Sequence, residues 1–168
     1  ALRAAKKNGA TTSYDLNFRS TLWSREDAQK AMVEIMPYVD VVIGNEEDFE
    51  TMLGIKADNT DENYSKIDPM CYKKADEKVM EKYPNVQVAG NSLREVTSAC
   101  LNNWQCVMMT RNGCFVSRKH MNLEIYSFAS GLIWCRMEGK PELECIDFAA
   151  AYSAMCHTIR NDWNLVIT

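Results

Sequence analysis

Helical spacing of apolar residues alternates with short apolar runs through the first half of the chain. A helix is predicted after Ser24, because Asp27 follows three residues later and apolar residues then recur at helical spacing. Residues 39–43 form an apolar run that is too short for a helix and favours a buried parallel strand. A further helix is predicted between Asn45, a good capping residue, and Gly54. This order of elements predicts helices packed on a mainly parallel sheet.

The second half of the chain continues the alternation and then changes. A polar, acidic surface loop is predicted at residues 57–68. Asn112-Gly113 is a strong hairpin signal between two apolar strands. The other predicted elements are a helix from Asp68-Pro69 to Tyr83, a strand from Val86, a third hairpin strand at 123–126, and apolar helices at about 127–138 and 141–157.

Composition and charge exclude several classes of protein. The net charge of the 168 residues is −4 and no run of Lys and Arg forms a basic face, so a nucleic-acid partner is not expected. No apolar stretch approaches the roughly 20 residues of a membrane helix. Glycines lie at least eight residues apart, which excludes a Walker A loop and a G-x-G-x-x-G fingerprint. Seven Cys without Cys-x-x-Cys spacing indicate reduced thiols in a cytoplasmic protein.

Three short motifs, in a fixed order along the chain, resemble the PfkB (ribokinase-like) carbohydrate kinases. Residues 13–19, which contain Asp-x-Asn-x-Arg, resemble a segment of that family, and residues 45–48 resemble its Asn-x-x-Glu motif, with Asp at the last position. Residues 92–95, Ser-Leu-Arg-Glu, are similar to its Thr-Leu-Arg-Glu segment. The similarity continues in order over nearly the whole chain, and within the family it is strongest to 2-keto-3-deoxygluconate kinases.

The resemblance implies a three-layer α/β/α ribokinase-like fold, with a mostly parallel sheet and an antiparallel hairpin at its edge. It also implies that residues 1–168 are the C-terminal, nucleotide-side part of one larger domain. The family's Gly-x-Gly-Asp stretch, which carries the catalytic base, does not occur between Tyr126 and Ser127. We therefore expect segments missing at that junction and before Ala1, and the catalytic base stays unassigned.

The reaction implied by the resemblance is phosphorylation of 2-keto-3-deoxygluconate by ATP with Mg²⁺, which gives 2-keto-3-deoxy-6-phosphogluconate. The expected partners are this sugar acid and ATP, with no membrane partner, and homo-oligomerisation is left open. Two alternatives remain from the sequence. One is another PfkB kinase of the fructokinase or ribokinase type. The other is a non-catalytic fragment or pseudokinase that lacks the Gly-x-Gly-Asp loop.

Arg19 is the sharpest candidate for substrate binding. A guanidinium recognises a carboxylate with two parallel hydrogen bonds, and a keto-deoxy sugar acid carries a carboxylate. Arg19 follows a short strand predicted at residues 10–15, and open α/β sheets bind ligands beyond the carboxyl ends of their strands. The alternative is a surface arginine in a loop. Asn17 is a second substrate-binding candidate, although it and Asp15 are also residues that shape turns.

The remaining candidates concern the nucleotide and the metal. Asn45 is a nucleotide-binding candidate, and Glu47 and Asp48 are candidates to hold Mg²⁺ through water. The alternative for all three is a helix cap with acids in the first turn. Ser92 and Arg94 are predicted at the end of the strand that starts at Val86. The resemblance also suggests nucleotide contacts by Ser92, Arg94, Ser153 and Asn164, against the alternatives of a solvated Arg and a purely structural helix.

Overall fold

The computed structural model describes residues 1–56, 69–96, 102–123 and 129–156. Helices and strands alternate up to β3, which confirms the predicted α/β class. In chain order the elements are α1 (Leu2–Lys7), β1 (Ser13–Asp15), α2 (Arg25–Ile35), β2 (Val41–Asn45), α3 (Glu46–Asp48), α4 (Pro69–Lys82), β3 (Val88–Val96), β4 (Asn102–Thr110), β5 (Gly113–Val116), β6 (His120–Leu123), α5 (Ala129–Met137) and α6 (Glu142–Cys156). A 3₁₀ turn at Met36–Tyr38 follows α2, and a π-helical turn at Phe49–Leu53 continues α3.

The strands form a mixed sheet in the order β1-β2-β3-β4-β5, with β6 also paired to β4. β1 and β2 are parallel, with Tyr14 opposite Val42, so their carboxyl ends lie at the same edge. β6 is antiparallel to β4, with Trp104 opposite His120. β5 follows β4 through the predicted Asn112-Gly113 turn, and the predicted hairpin at the sheet edge is therefore confirmed.

The described residues divide into two compact units, to which β3 and β4 each contribute. The first comprises the described parts of Ala1–Asn59, Met70–Asn91 and Met108–Cys114. Its core is apolar and draws on α2, β2, the turn after α3, α4 and the first part of β3. Met32, Phe49 and Val79 are fully or almost fully buried in this core, because apolar residues at helical spacing point from each helix to the same side.

Local sequence signals determine the ends of the helices in this unit. The Ser24 hydroxyl accepts a hydrogen bond from the Asp27 backbone N–H at 3.1 Å, which caps α2 as predicted. The turn after α3 ends at Gly54, whose φ of +68° lies in the left-handed region that favours glycine. α4 begins at Pro69, as its sequence predicted.

The second unit contains the described parts of Thr60–Pro69, Ser92–Val107 and Phe115–Thr168, including α5 and α6, which pack directly against each other. Gly131 allows this close approach, because a Cβ at this position would lie 2.9 Å from the Cα of Ala149. Beside this contact, the Trp134 ring lies 4.9 Å from the Phe148 ring, and Phe148 stacks on Tyr152 at 5.9 Å. Small residues thus set the helix separation, and aromatic rings pack beside them.

β3 is longer than predicted, and this corrects the positions of two candidate residues. The strand continues to Val96, so Ser92 and Arg94 lie inside it and not beyond its carboxyl end. Gly90 and Asn91, which interrupt the apolar pattern, do not end the strand. Asn91 is buried, and its amide Nδ2 donates to the Asp76 Oδ1 of α4 at 2.5 Å. A partner on a neighbouring helix therefore allows a polar residue in a buried strand.

Two other boundaries differ from the predictions. The third hairpin strand begins at His120, three residues before the predicted start at Leu123, and the rest of the predicted strand, residues 124–126, lies outside the described residues. β2 begins at Val41 and not at Val39, because the backbone N–H of Val39 bonds to the carbonyl of Met36 in the 3₁₀ turn. The loop 57–68, the junction of Tyr126 with Ser127, and Asn164 lie outside the described residues. Within the described part of the chain, no helix is long and apolar enough to cross a membrane.

Candidate active site

The segment after β1 turns sharply and carries Arg19 outward. Asp15 is the last residue of β1, and its carboxylate accepts a hydrogen bond from the backbone N–H of Asn17. Asn17 has a φ of +40°, in the left-handed region that Asn adopts more readily than most residues. The Arg19 side chain is exposed, and its Nη1 donates to the carbonyl oxygen of Phe18 at 3.0 Å. The rest of the guanidinium faces solvent.

The segment after β2 forms a reciprocal capping box. Asn45 ends β2, and its side-chain Oδ1 accepts from the Asp48 backbone N–H at 2.9 Å. The Asp48 Oδ2 accepts in turn from the Asn45 backbone N–H at 3.2 Å. The predicted cap is therefore confirmed, with a shorter acid than the Glu usual in this motif. Glu47, between them, has an exposed side chain.

Asp48 also joins the two strand ends. Its Oδ1 accepts a hydrogen bond from the Phe18 backbone N–H at 2.8 Å, beside the residue that carries the guanidinium. The Asp48 side chain is only 6% exposed. The structure thus brings the Arg19 segment, Asn45 and Asp48 together at the carboxyl edge of β1 and β2, as expected for residues that follow parallel strands.

The charges of this edge influence one another. Burial by the surrounding chain and the nearby Asp48 carboxylate raise the pKa of Asp15, although part of its side chain is exposed. The Arg19 guanidinium and the Asn17 N–H act in the opposite direction but do not cancel this rise. The Asp15 carboxylate therefore lies within electrostatic range of both the Asp48 carboxylate and the Arg19 guanidinium.

The other predicted site residues belong to the second unit or lie outside the described residues. Within β3, Ser92 is half-buried and Arg94 is exposed. Ser153 is fully buried in α6, and Asn164 lies outside the described residues. The structure therefore groups the predicted substrate and capping residues at the carboxyl edge of β1 and β2 in the first unit, whereas Ser92, Arg94 and Ser153 belong to the second unit.

The side-chain oxygens at this edge suit Mg²⁺ that is bound through water rather than Mg²⁺ that is coordinated directly. Among the residues that the structure describes, no three His, Cys, Asp or Glu side chains come together as a metal site. Mg²⁺ in kinases usually keeps several waters and takes further ligands from substrate phosphates. Glu47 has an exposed carboxylate that fits a role through water, whereas both oxygens of Asp48 already accept backbone hydrogen bonds.

Sequence reasoning missed the link from Asp48 to the Phe18 N–H. The two residues are 30 positions apart, and a backbone N–H leaves no signal in side-chain patterns. Gly44 is the local sequence feature that could have indicated this contact. A Cβ at Gly44 would lie 3.1–3.2 Å from side-chain atoms of Leu16, Asp48 and Phe49, so only glycine leaves room for this packing.

Fold and site together define a ribokinase-like α/β domain portion with charged groups at the carboxyl edge of its sheet. The model of the pfkB family carbohydrate kinases matches residues 1–99, which is more than half of the chain. The chain therefore belongs to the pfkB family of carbohydrate kinases.

Individual relatives agree with this assignment. The crystal structure of 2-dehydro-3-deoxygluconokinase from Thermotoga maritima superposes with a TM-score of 0.88 at 36% identity, over 99% of this chain and 51% of that protein. A 2-dehydro-3-deoxygalactonokinase of Haloferax volcanii is 42% identical over 57 residues, 34% of this chain and 18% of that protein. A 5-dehydro-2-deoxygluconokinase of Clostridium perfringens is 37% identical over 68 residues, 39% and 20% of the two chains. The chain thus spans about half the length of the solved relative.

Proposed function

We propose that the protein to which this chain belongs transfers the γ-phosphoryl group of ATP to a keto-deoxy sugar acid. The proposed substrate is 2-keto-3-deoxygluconate, and the product is its 6-phosphate. The observation that carries the proposal is the exposed guanidinium of Arg19, on an anchored segment at the carboxyl edge of β1. Family membership supports the reaction class, and Arg19 supports the choice of an acid.

Arg19 has the properties of a carboxylate-binding residue. A guanidinium presents several N–H donors in one plane, and one bond to the Phe18 carbonyl orients that plane while other donors face solvent. The three named relatives described above all have names that denote kinases of dehydro-deoxy sugar acids. These substrates carry a carboxylate, whereas fructose and ribose do not. A cationic group that binds a carboxylate therefore favours a sugar acid over a neutral sugar.

The other groups of this chain serve positioning and charge stabilisation in the proposal. Phosphoryl transfer depends mainly on alignment and on stabilising charge on the transferred group, and Mg²⁺ supplies part of that charge when it is bound with ATP. Glu47 would hold Mg²⁺ through water, and Asn17 would contact the sugar. Asn45, Ser92, Arg94, Ser153 and Asn164 remain proposed contacts of the nucleotide. The general base that takes the hydroxyl proton is not assigned to any residue of this chain.

Kinetics of Arg19 variants in the complete kinase test the proposal. Arg19→Ala should raise KM for the keto-deoxy acid by roughly 10-fold or more, because a charge-assisted hydrogen bond contributes about 1.5–3 kcal/mol. KM for ATP should change far less. Arg19→Lys should recover only part of the loss, because an ammonium keeps the charge without the planar pair of donors.

A matched control and a neutral sugar complete the test. Arg25→Ala removes another exposed arginine, whose side chain contacts Thr51 and Glu50. This variant should leave the preference for the acid unchanged. A neutral sugar such as fructose should show little of the Arg19 effect. Equal losses for acidic and neutral sugars would mean that Arg19 only supports its loop, and the sugar-acid assignment would be wrong.

A further inference from the structure

We propose that Asp48 is a positioning residue for Arg19, holding the segment after β1 in the conformation that aims the guanidinium at the substrate. The inference rests on the proposed function, because it assigns the purpose of the contact to the carboxylate-binding arginine. It gives the last residue of the Asn-x-x-Asp motif a role toward the sugar, whereas the sequence suggested a role toward Mg²⁺.

The hydrogen bonds of Asp48 carry the inference. One carboxylate oxygen accepts from the Phe18 N–H at 2.8 Å, and the other accepts from the Asn45 N–H at 3.2 Å. The Asp48 backbone N–H is itself held by the Asn45 side chain at 2.9 Å. The carboxylate is thus fixed to the rigid end of β2 and holds the chain one residue before Arg19 by a charge-assisted bond.

Packing prevents Asp48 from moving to other partners. Its side chain is only 6% exposed, and the missing side chain of Gly44 lets the Asp48 Cβ approach the strand closely. Phe49, the next residue, is also buried against the core of the first unit. A side chain held on all these sides transmits its position to the Phe18 N–H, which restricts the directions available to Arg19.

The same geometry separates the roles of two neighbouring acids. Glu47 has an exposed carboxylate, while the two Asp48 oxygens point at backbone donors of the two strand ends. Removal of the Asp48 carboxylate would remove its hydrogen bond to the Phe18 N–H beside Arg19, whether or not Mg²⁺ is bound. A variant at Asp48 should therefore change sugar-acid binding before it changes the Mg²⁺ requirement.

The kinetic test uses Asp48→Ala and Asp48→Glu in the complete kinase. Asp48→Ala should raise KM for the keto-deoxy acid about tenfold, the size expected for loss of a charge-assisted hydrogen bond, while KM for ATP, the Mg²⁺ dependence and KM for a neutral sugar each change by less than about threefold. Asp48→Glu keeps the charge and both acceptor oxygens and should restore most of the acid preference. The control Glu34→Ala removes an exposed acid of α2 and should behave as wild type.

A double-mutant comparison identifies Arg19 as the residue through which Asp48 acts. In the Arg19→Ala background, Asp48→Ala should cause no further loss of acid preference, because the group that it positions is already gone. Additive losses would overturn the proposal. It would also be overturned if the loss in Asp48→Ala fell on KM for ATP or on the Mg²⁺ requirement.

Amide hydrogen exchange keeps the inference distinct from the proposed function. The Phe18 N–H should exchange slowly in the wild-type protein and faster in Asp48→Ala, but not faster in Arg19→Ala or Glu34→Ala. If Arg19→Ala keeps the wild-type preference for the acid while Phe18 follows this pattern, the sugar-acid proposal fails and the positioning of the loop by Asp48 stands. Fast exchange of the Phe18 N–H in the wild-type protein would overturn the positioning role of Asp48. This measurement needs no variant, so its outcome does not depend on whether a variant folds.

Discussion

The paired strands β1 and β2 are held together at both ends by an aspartate, and the two ends differ in charge. Before β2, Asp40 accepts from the Thr12 N–H at 2.9 Å and from Lys6 Nζ at 2.6 Å. After β2, Asp48 accepts from the Phe18 N–H, and the cation beside it, Arg19, is not bonded to it. The first end is a closed ion pair, while the second leaves its cation available.

The difference separates a structural end of the two strands from the proposed functional end. Burial alone would raise the pKa of Asp40, but hydrogen bonds from Lys6 and Thr12 outweigh it and leave the pKa below its usual value. At the opposite end, the pKa of Asp15 is raised by burial and by Asp48. The end with the Asp40 ion pair has charges that satisfy each other, whereas the end with the proposed substrate-binding Arg19 keeps a cation without an ion pair to Asp48.

The largest expected effect on stability comes from breaking the structural end. Asp40→Ala should lower the free energy of unfolding by about 3 kcal/mol, since it leaves the buried Thr12 N–H and the Lys6 ammonium without their acceptor. Urea unfolding measures this loss, and Glu34→Ala, an exposed acid of α2, should change stability by less than about 0.5 kcal/mol. A loss below about 1 kcal/mol would show that the ion pair is not what holds this end.

Asp40→Ala should also change how the free energy of unfolding depends on pH. A folded pKa below the unfolded value gives stability that is present above the unfolded pKa, near 3.8, and is lost as pH falls through the folded pKa. Wild-type protein should therefore lose this contribution below about pH 4. Asp40→Ala should lack that part of the acid dependence, so the two stability curves should converge at low pH.

A smaller effect on stability is expected from crowding the proposed functional end. Gly44→Ala places a Cβ 3.1–3.2 Å from side-chain atoms of Leu16, Asp48 and Phe49, and it should cost about 2 kcal/mol through overpacking. Gly9→Ala is the matched control, because its φ of +76° strains any L residue but no atom lies within 4 Å of the added Cβ. The control should cost about 1 kcal/mol. Gly44 has no left-handed φ, so a cost at Gly44 no larger than that at Gly9 would indicate that the neighbouring side chains accommodate the added Cβ.

The smallest effect concerns Asp76, an aspartate of the first unit without a cationic partner. It is fully buried on α4, its Oδ1 accepts from Asn91, and its Oδ2 has no hydrogen-bond partner among the described residues. Burial raises the pKa of Asp76 well above its usual value; the Asn91 bond opposes the rise and Glu77 adds to it. The sign of its pH dependence is therefore opposite to that of Asp40.

Asp76→Asn tests that sign. A raised folded pKa means that the free energy of unfolding falls as pH rises from the unfolded pKa near 3.8 toward the folded pKa. Asn has the same shape and does not ionise, so the variant should be about 1 kcal/mol more stable than wild type at pH 7 and equal to it near pH 3.5. If Asp76→Asn is less stable than wild type at both pH values, position 76 needs the carboxyl group itself and not only a side chain of the same shape.

Much of the local structure was predictable because its causes are close together in sequence. Ser24 with Asp27 predicted the start of α2, Asn112-Gly113 predicted the hairpin, and the spacing of apolar residues predicted the buried face of α4. The prediction that Ser92 and Arg94 follow a strand was wrong, because β3 continues through the buried, polar Asn91 to Val96. The buried partner of Asn91, Asp76, lies on another element, which no local pattern reveals.

The sequence by itself determined the order of elements, the helix caps, the α/β class and the position of Arg19 after a strand, since each depends on residues within a few positions of one another. Only the tertiary structure decided that Asp48 bonds to the Phe18 N–H and that Asp40 bonds to Lys6 and Thr12. These contacts join residues 28 to 34 positions apart. Their partners include backbone groups, which are identical at nearly every position and acquire a specific role only when parallel strands bring their ends together.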